Sequence, residues 1–168
     1  MQENFNSLVF LFASQAIVFA VLSFVFFMYF RAFNRGYVKY WFFSLISLSA
    51  YYLSSALLQD NTTQLLTNYW QLFYTQVKQA SYYSFLVFLL LGVYNAKRLI
   101  KPLPMLSKGL VIFAVILGVT AASVYAFDRV NVFNHFYLTV SLQNFIFACA
   151  FLTTAFYLYV DKTPHFSS

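Results

Sequence analysis

Charge is scarce in this sequence. Only 8% of its residues are Asp, Glu, Lys or Arg, against about 25% in a soluble globular domain. The acids are Glu3, Asp60, Asp128 and Asp161 alone, so no paired-carboxylate site is legible. Glycine occurs four times, which excludes a Gly-rich phosphate loop. The one cysteine, Cys149, sits in an apolar run and excludes an intrachain disulfide, a CxxC motif and a zinc pattern. The two histidines, His135 and His165, fall at opposite ends of an apolar run, where they cannot share a metal or haem. No Ser/His/Asp set is present. The expectation is a protein that is not an enzyme and has no catalytic residues, no cofactor and no metal.

Apolar residues are abundant. They make up 62% of the chain, aromatics 23%, and Phe alone contributes 23 residues. A soluble fold of 168 residues could not cover such a surface with polar groups. The apolar runs predict about five transmembrane helices, over 8–30, 40–58, 69–96, 110–127 and 133–160. About 20 residues cross the hydrocarbon of a bilayer, so the second and fourth runs are near the lower limit. The runs are too long and continuous for barrel strands of alternating pattern. Pro102 and Pro104 forbid a straight continuation of the third run. The expected fold class is an all-α polytopic bundle over 1–160 with a tail over 161–168. The first run lacks a basic leader and a small-residue cleavage site, so it does not read as a signal peptide. No internal repeat supports a transporter.

The formal charge of +6 is distributed like a topology signal. One side of the predicted bundle holds eight basic residues: Arg31, Arg35, Lys39, Lys97, Arg98, Lys101, Lys108 and Lys162. The other holds Arg129 alone, with Glu3, Asp60 and Asp128. The positive-inside rule then predicts an outside N-terminus and a cytoplasmic C-terminus. Basic residues at the ends of apolar runs, with no fold motif behind them, exclude nucleic acid as a partner. Tyr37, Tyr40, Trp41, Tyr69, Trp70, Tyr94, Tyr125, Tyr157 and Tyr159 fit interfacial belts. The sequon Asn61-Thr62-Thr63 reads as turn chemistry.

Polar residues crowd the predicted outer halves of the spans. Gln71, Tyr74, Lys78 and Tyr82 fall at i, i+3, i+7 and i+11, one helix face. Ser44, Ser47, Tyr51 and Ser54 make a second face, and Tyr137, Ser141 and Asn144 a third. Polar groups in hydrocarbon are costly unless partnered, so these faces are expected to turn inward. One consequence is an outward-open polar cavity whose ligand-binding residues are Lys78, Tyr82, Tyr74, Tyr51, Gln143 and Asn144. The other is interhelical contact between small and polar residues without a ligand. Lys78 divides these readings. If the inner edge of the membrane lies near Lys97, the outer edge lies near Val77. Lys78 then either snorkels outward or faces a cavity and binds an anionic or carbonyl-bearing ligand.

Two stretches carry a family resemblance: Tyr29-Phe30-Arg31-Ala32-Phe33-Asn34-Arg35-Gly36-Tyr37-Val38-Lys39-Tyr40-Trp41, and Tyr82-Tyr83-Ser84-Phe85-Leu86-Val87-Phe88-Leu89-Leu90-Leu91-Gly92-Val93-Tyr94. Over about the first 100 residues they resemble the N-terminal multi-helix membrane input modules of bacterial diguanylate cyclases and histidine kinases. The resemblance implies a sensor domain in the bacterial inner membrane, binding a small molecule and signalling to a cytoplasmic output. The chain departs from that pattern in its helix count, since such modules commonly have seven. It also carries no Gly-Gly-Asp-Glu-Phe signature and no kinase core. It is expected to be either an excised input module or a stand-alone protein. The alternative is a structural or accessory subunit of a larger membrane complex. The expected partners are the lipid bilayer, a small-molecule ligand, and a second copy or a larger membrane complex.

Overall fold

The computed structural model describes residues 2–60, 68–96, 104–127 and 142–160. Five α-helices make up these residues: α1 (Gln2–Phe33), α2 (Gly36–Asp60), α3 (Asn68–Ala96), α4 (Pro104–Phe127) and α5 (Leu142–Val160). Three of them contain segments long and apolar enough to cross a membrane, Ser7–Phe33, Gly36–Gln59 and Tyr69–Ala96. The apolar stretches of α4 and α5 are shorter, Lys108–Ser123 and Gln143–Thr153. The chain divides into two compact units, Met1–Phe127 and Asp128–Ser168.

Helix ends follow backbone chemistry rather than hydropathy. No glycine or proline interrupts 1–35, so α1 runs beyond the expected 8–30 at both ends. It stops where Asn34 adopts a left-handed conformation, φ 47°. The Asn34 N–H donates to the Phe30 carbonyl at 2.8 Å, closing the last turn. Only Asn34 and Arg35 separate α1 from α2. Helix α2 therefore begins at Gly36 rather than near residue 40, with Lys39 inside it. A lysine ends a hydrocarbon span without ending a helix, because its stem lets the ammonium reach water. Helix α4 opens on Pro104, earlier than the expected residue 110. Proline fits the first helical position, where its missing N–H has no partner to lose. The expected start of the fifth span, 133–141, lies outside the described residues.

Within the first unit, α1 packs on α2, α2 on α3 and α3 on α4. Burial rises from α1 through α2 to α3, while apolar character falls in the same order. The central helix α3 is thus the least apolar of the three. The burial pattern reverses that of a soluble core. Ser23 is 2% exposed and Phe10 is 75% exposed. Ser44, Ser54, Ser55, Ala56 and Ser84 are also buried, whereas Ile17, Phe24 and Phe113 are exposed. Lipid solvates large apolar side chains as well as a core does, so small and polar residues occupy the helix contacts instead.

Those contacts are specific. The Ser49 hydroxyl donates to the Ala16 carbonyl at 2.8 Å, and Ser23 to the Phe42 carbonyl at 3.4 Å. The Phe19 and Tyr52 rings stack at 5.5 Å between α1 and α2. Between α2 and α3, Ser44 donates to the Phe85 carbonyl at 3.3 Å and Phe43 stacks on Phe88 at 5.4 Å. Gly92 lies under the Trp41 ring, which a methyl there would overlap. Between α3 and α4, Gly118 rests on the backbone of Ala80. Ala114 and Ala122, one helical turn to either side, are buried with it. Gln76 donates its amide to the Ser123 hydroxyl at 3.3 Å.

Candidate functional site

Helices α2 and α3 run antiparallel, and their contacts set the register. Gly36 meets Asn95, Trp41 meets Gly92, Phe43 meets Phe88 and Tyr51 meets Tyr82. On that register Lys78 stands opposite Ser54, about one turn beyond Tyr51. Its ammonium lies 5.6 Å from the centroid of the Tyr51 ring. The one-turn offset is within the combined reach of a lysine stem and a tyrosine ring, so the two side chains meet between the helices. Lys78 is half-buried there.

The cluster is built from two of the expected polar faces. On α2, Ser44, Ser47 and Ser54 are buried and Tyr51 half-buried, as inward orientation requires. On α3, Gln71, Tyr74, Lys78 and Tyr82 are all half-buried. The Tyr51 and Tyr82 rings sit 5.7 Å apart, Tyr52 packs edge-on to Tyr51 at 5.2 Å, and Tyr83 edge-on to Tyr82 at 5.7 Å. A cation over a tyrosine face is held by the ring quadrupole, about 0.5–1 kcal/mol when exposed and about 2 when desolvated. The sequence places no acid within α2 or α3 short of Asp60.

Of the six expected ligand residues, the fold brings Tyr51, Lys78 and Tyr82 together. Tyr74 lies one turn beyond Lys78 and stacks on Trp70 at 6.1 Å. Gln143 is half-buried and Asn144 exposed, both on α5 in the second unit. Tyr137, Thr139, Ser141 and His135 lie outside the described residues. So do Lys97, Arg98, Lys101, Asp128, Arg129, Lys162, His165 and the Asn61-Thr62-Thr63 turn. Among the described residues, no group of three or more His, Cys, Asp or Glu could hold a metal ion.

Chemically, the Lys78 cluster offers one ammonium and two phenols on a largely aromatic wall. Such a set can bind a carboxylate, a phosphate or a strongly polarised carbonyl.

Two features of the fold escape the reading of polar residues and hydropathy. The first is the stripe Ala114, Gly118, Ala122, whose period of four is a small-residue packing signal. The second is a groove of about 290 Å³ near the Asn34-Arg35 turn. Val25, Phe26 and Tyr29 of α1 and Tyr37, Val38 and Trp41 of α2 line it. The signal there is the matching spacing i, i+1, i+4 on both helices, either side of a two-residue turn. Searched against protein-family models, curated proteins and solved structures, the chain matches none.

Proposed function

We propose that the chain is a sensory input module of a bacterial inner membrane, with five spans, an outside N-terminus and a cytoplasmic C-terminus. Its ligand is a small organic anion that binds among Lys78, Tyr51 and Tyr82 in the outer half of the bundle. The observation that carries this reading is the Lys78 ammonium 5.6 Å from the Tyr51 ring centroid, in a pair of helices whose one acid, Asp60, is the last residue of α2. An ionisable residue within a span marks a functional site by default. The basic asymmetry between the two ends supports the orientation. Ligand binding would shift α3 against α2, and the Trp41–Gly92 contact at the other end of the same pair would carry the shift inward. The third and fifth helices would deliver it to a cytoplasmic output.

The test is thermal stabilisation of the full chain in nonionic detergent by a panel of small carboxylates and phosphate monoesters. A stabilising anion is expected, and Lys78→Gln should abolish its effect. Truncating one partner of a buried, hydrogen-bonded charge pair costs about 2–5 kcal/mol. Lys78→Arg should rescue poorly, because a planar fork does not replace a compact ammonium. No stabilising anion, or equal stabilisation of Lys78→Gln, would refute the site.

A second reading is an accessory subunit of a larger membrane complex. The exposed face of α1, with Phe10, Ile17 and Phe24, favours it, since a partner helix would cover that face as well as lipid does. Copurification of a fixed partner in mild detergent would distinguish it.

A further inference from the structure

We infer that the groove beside the Asn34-Arg35 turn binds one acyl chain of an anionic phospholipid, whose headgroup lies against Arg31, Arg35 and Lys39. This inference rests on the membrane reading of the chain and is independent of the Lys78 site, which lies toward the other end of α2. Val38 is the floor of the groove at 1% exposure, and Val25 and Tyr29 are its rim at 54% and 45%. Phe26 and Tyr37 each meet the Trp41 ring edge-on, at 6.0 and 5.3 Å, and fix the walls. The lining is almost wholly apolar, and its about 290 Å³ is at the lower end of small-molecule pockets. That size suits a length of hydrocarbon chain better than a polar metabolite.

Charge selects the lipid class. Arg35 is in the turn at the foot of the groove, and Arg31 and Lys39 stand at the same level on α1 and α2, all three exposed. They need not share the groove's face, because a charge acts on a headgroup within a Debye length of about 8 Å. The sequence has no acid between Glu3 and Asp60, so nothing on α1 or α2 near the turn offsets them. Tyr29, Tyr37 and Trp41 are the amphipathic rings that settle at headgroup level.

The test is native mass spectrometry of the full chain, delipidated in nonionic detergent. It is then offered phosphatidylglycerol or phosphatidylcholine with identical acyl chains. Wild type should retain phosphatidylglycerol in preference. Arg35→Gln with Lys39→Gln should reduce that preference by about fivefold per cation removed while leaving phosphatidylcholine retention unchanged. Val25→Trp, which plugs the rim, should lower retention of both lipids. Val25→Gln, which puts an amide where the chain would lie, reads the same loss should the bulkier variant not fold. Equal retention of the two lipids by wild type would overturn the inference. So would undiminished retention by a folded Val25 variant, or a dimer forming in place of the lipid adduct.

Discussion

Replacing Gly118 with Leu should undock α4 from α3. A methyl at Gly118 would sit 2.5 Å from the Ala80 Cα and 2.6 Å from its nitrogen, where carbon contacts prefer about 3.5–4.0 Å. Both neighbours are backbone atoms of a helix, so they cannot swing aside, and the helices must separate by roughly 1 Å or more. A gap of that size forfeits about a quarter to a half of each dispersion contact along the stripe, including those of Ala114 and Ala122. Overpacking costs about 1–3 kcal/mol. Loss of the Gln76–Ser123 hydrogen bond adds about 0.6 kcal/mol. The sum is about 2–4 kcal/mol. At about 2–4 °C per kcal/mol for a chain of this size, half-survival on heating in detergent should fall by roughly 4–16 °C. The control is Gly109→Leu, on the same helix, where an added side chain meets nothing within 4 Å. Its effect should stay within about 2 °C. If the two variants melt together, close approach at Gly118 does not hold α4 in place.

Gly92→Ala should disturb the opposite end of the α2–α3 pair, because the new methyl overlaps the Trp41 ring. Overpacking predicts a loss of about 1–3 kcal/mol and a red-shifted Trp41 emission in a Trp70→Phe background; unchanged emission would contradict the contact. At the α1–α2 turn, Asn34→Gly should be neutral or stabilising, since glycine adopts φ 47° freely. Asn34→Val should cost about 1–2 kcal/mol, read by the same thermal assay; equal melting of the two would remove the left-handed cap from the account.

The all-helical character was legible because unbroken apolar runs without proline admit little else. The inward turn of the α2 face was legible too: Ser44, Ser47 and Ser54 at helical spacing have no cheap alternative in hydrocarbon. Helix ends were less so. Lys39 marks where hydrocarbon stops, whereas the turn is set by the conformation of Asn34, which hydropathy does not report. Lys78, Tyr51 and Tyr82 were expected to share one site and lie close together. The cation-over-ring contact between Lys78 and Tyr51 was not legible, because spacing along α3 names a face and gives no pairing register with α2. The Gly118 seat was missed for a related reason. Polar residues advertise themselves in an apolar helix, and small ones do not, although small residues set how closely two helices approach.

The most direct test of the proposed outward site is thiol labelling at position 78. In a Cys149→Ser background, Lys78→Cys would introduce the only cysteine, and intact cells would receive a membrane-impermeant maleimide. Arg35→Cys in the same background reports the opposite face. The Lys78→Cys variant is expected to label on intact cells, and the Arg35→Cys variant only after permeabilisation. Labelling of the Lys78→Cys variant only after permeabilisation would invert the orientation. Its failure to label under either condition would show that no water-borne ligand reaches that position, contradicting the proposed site.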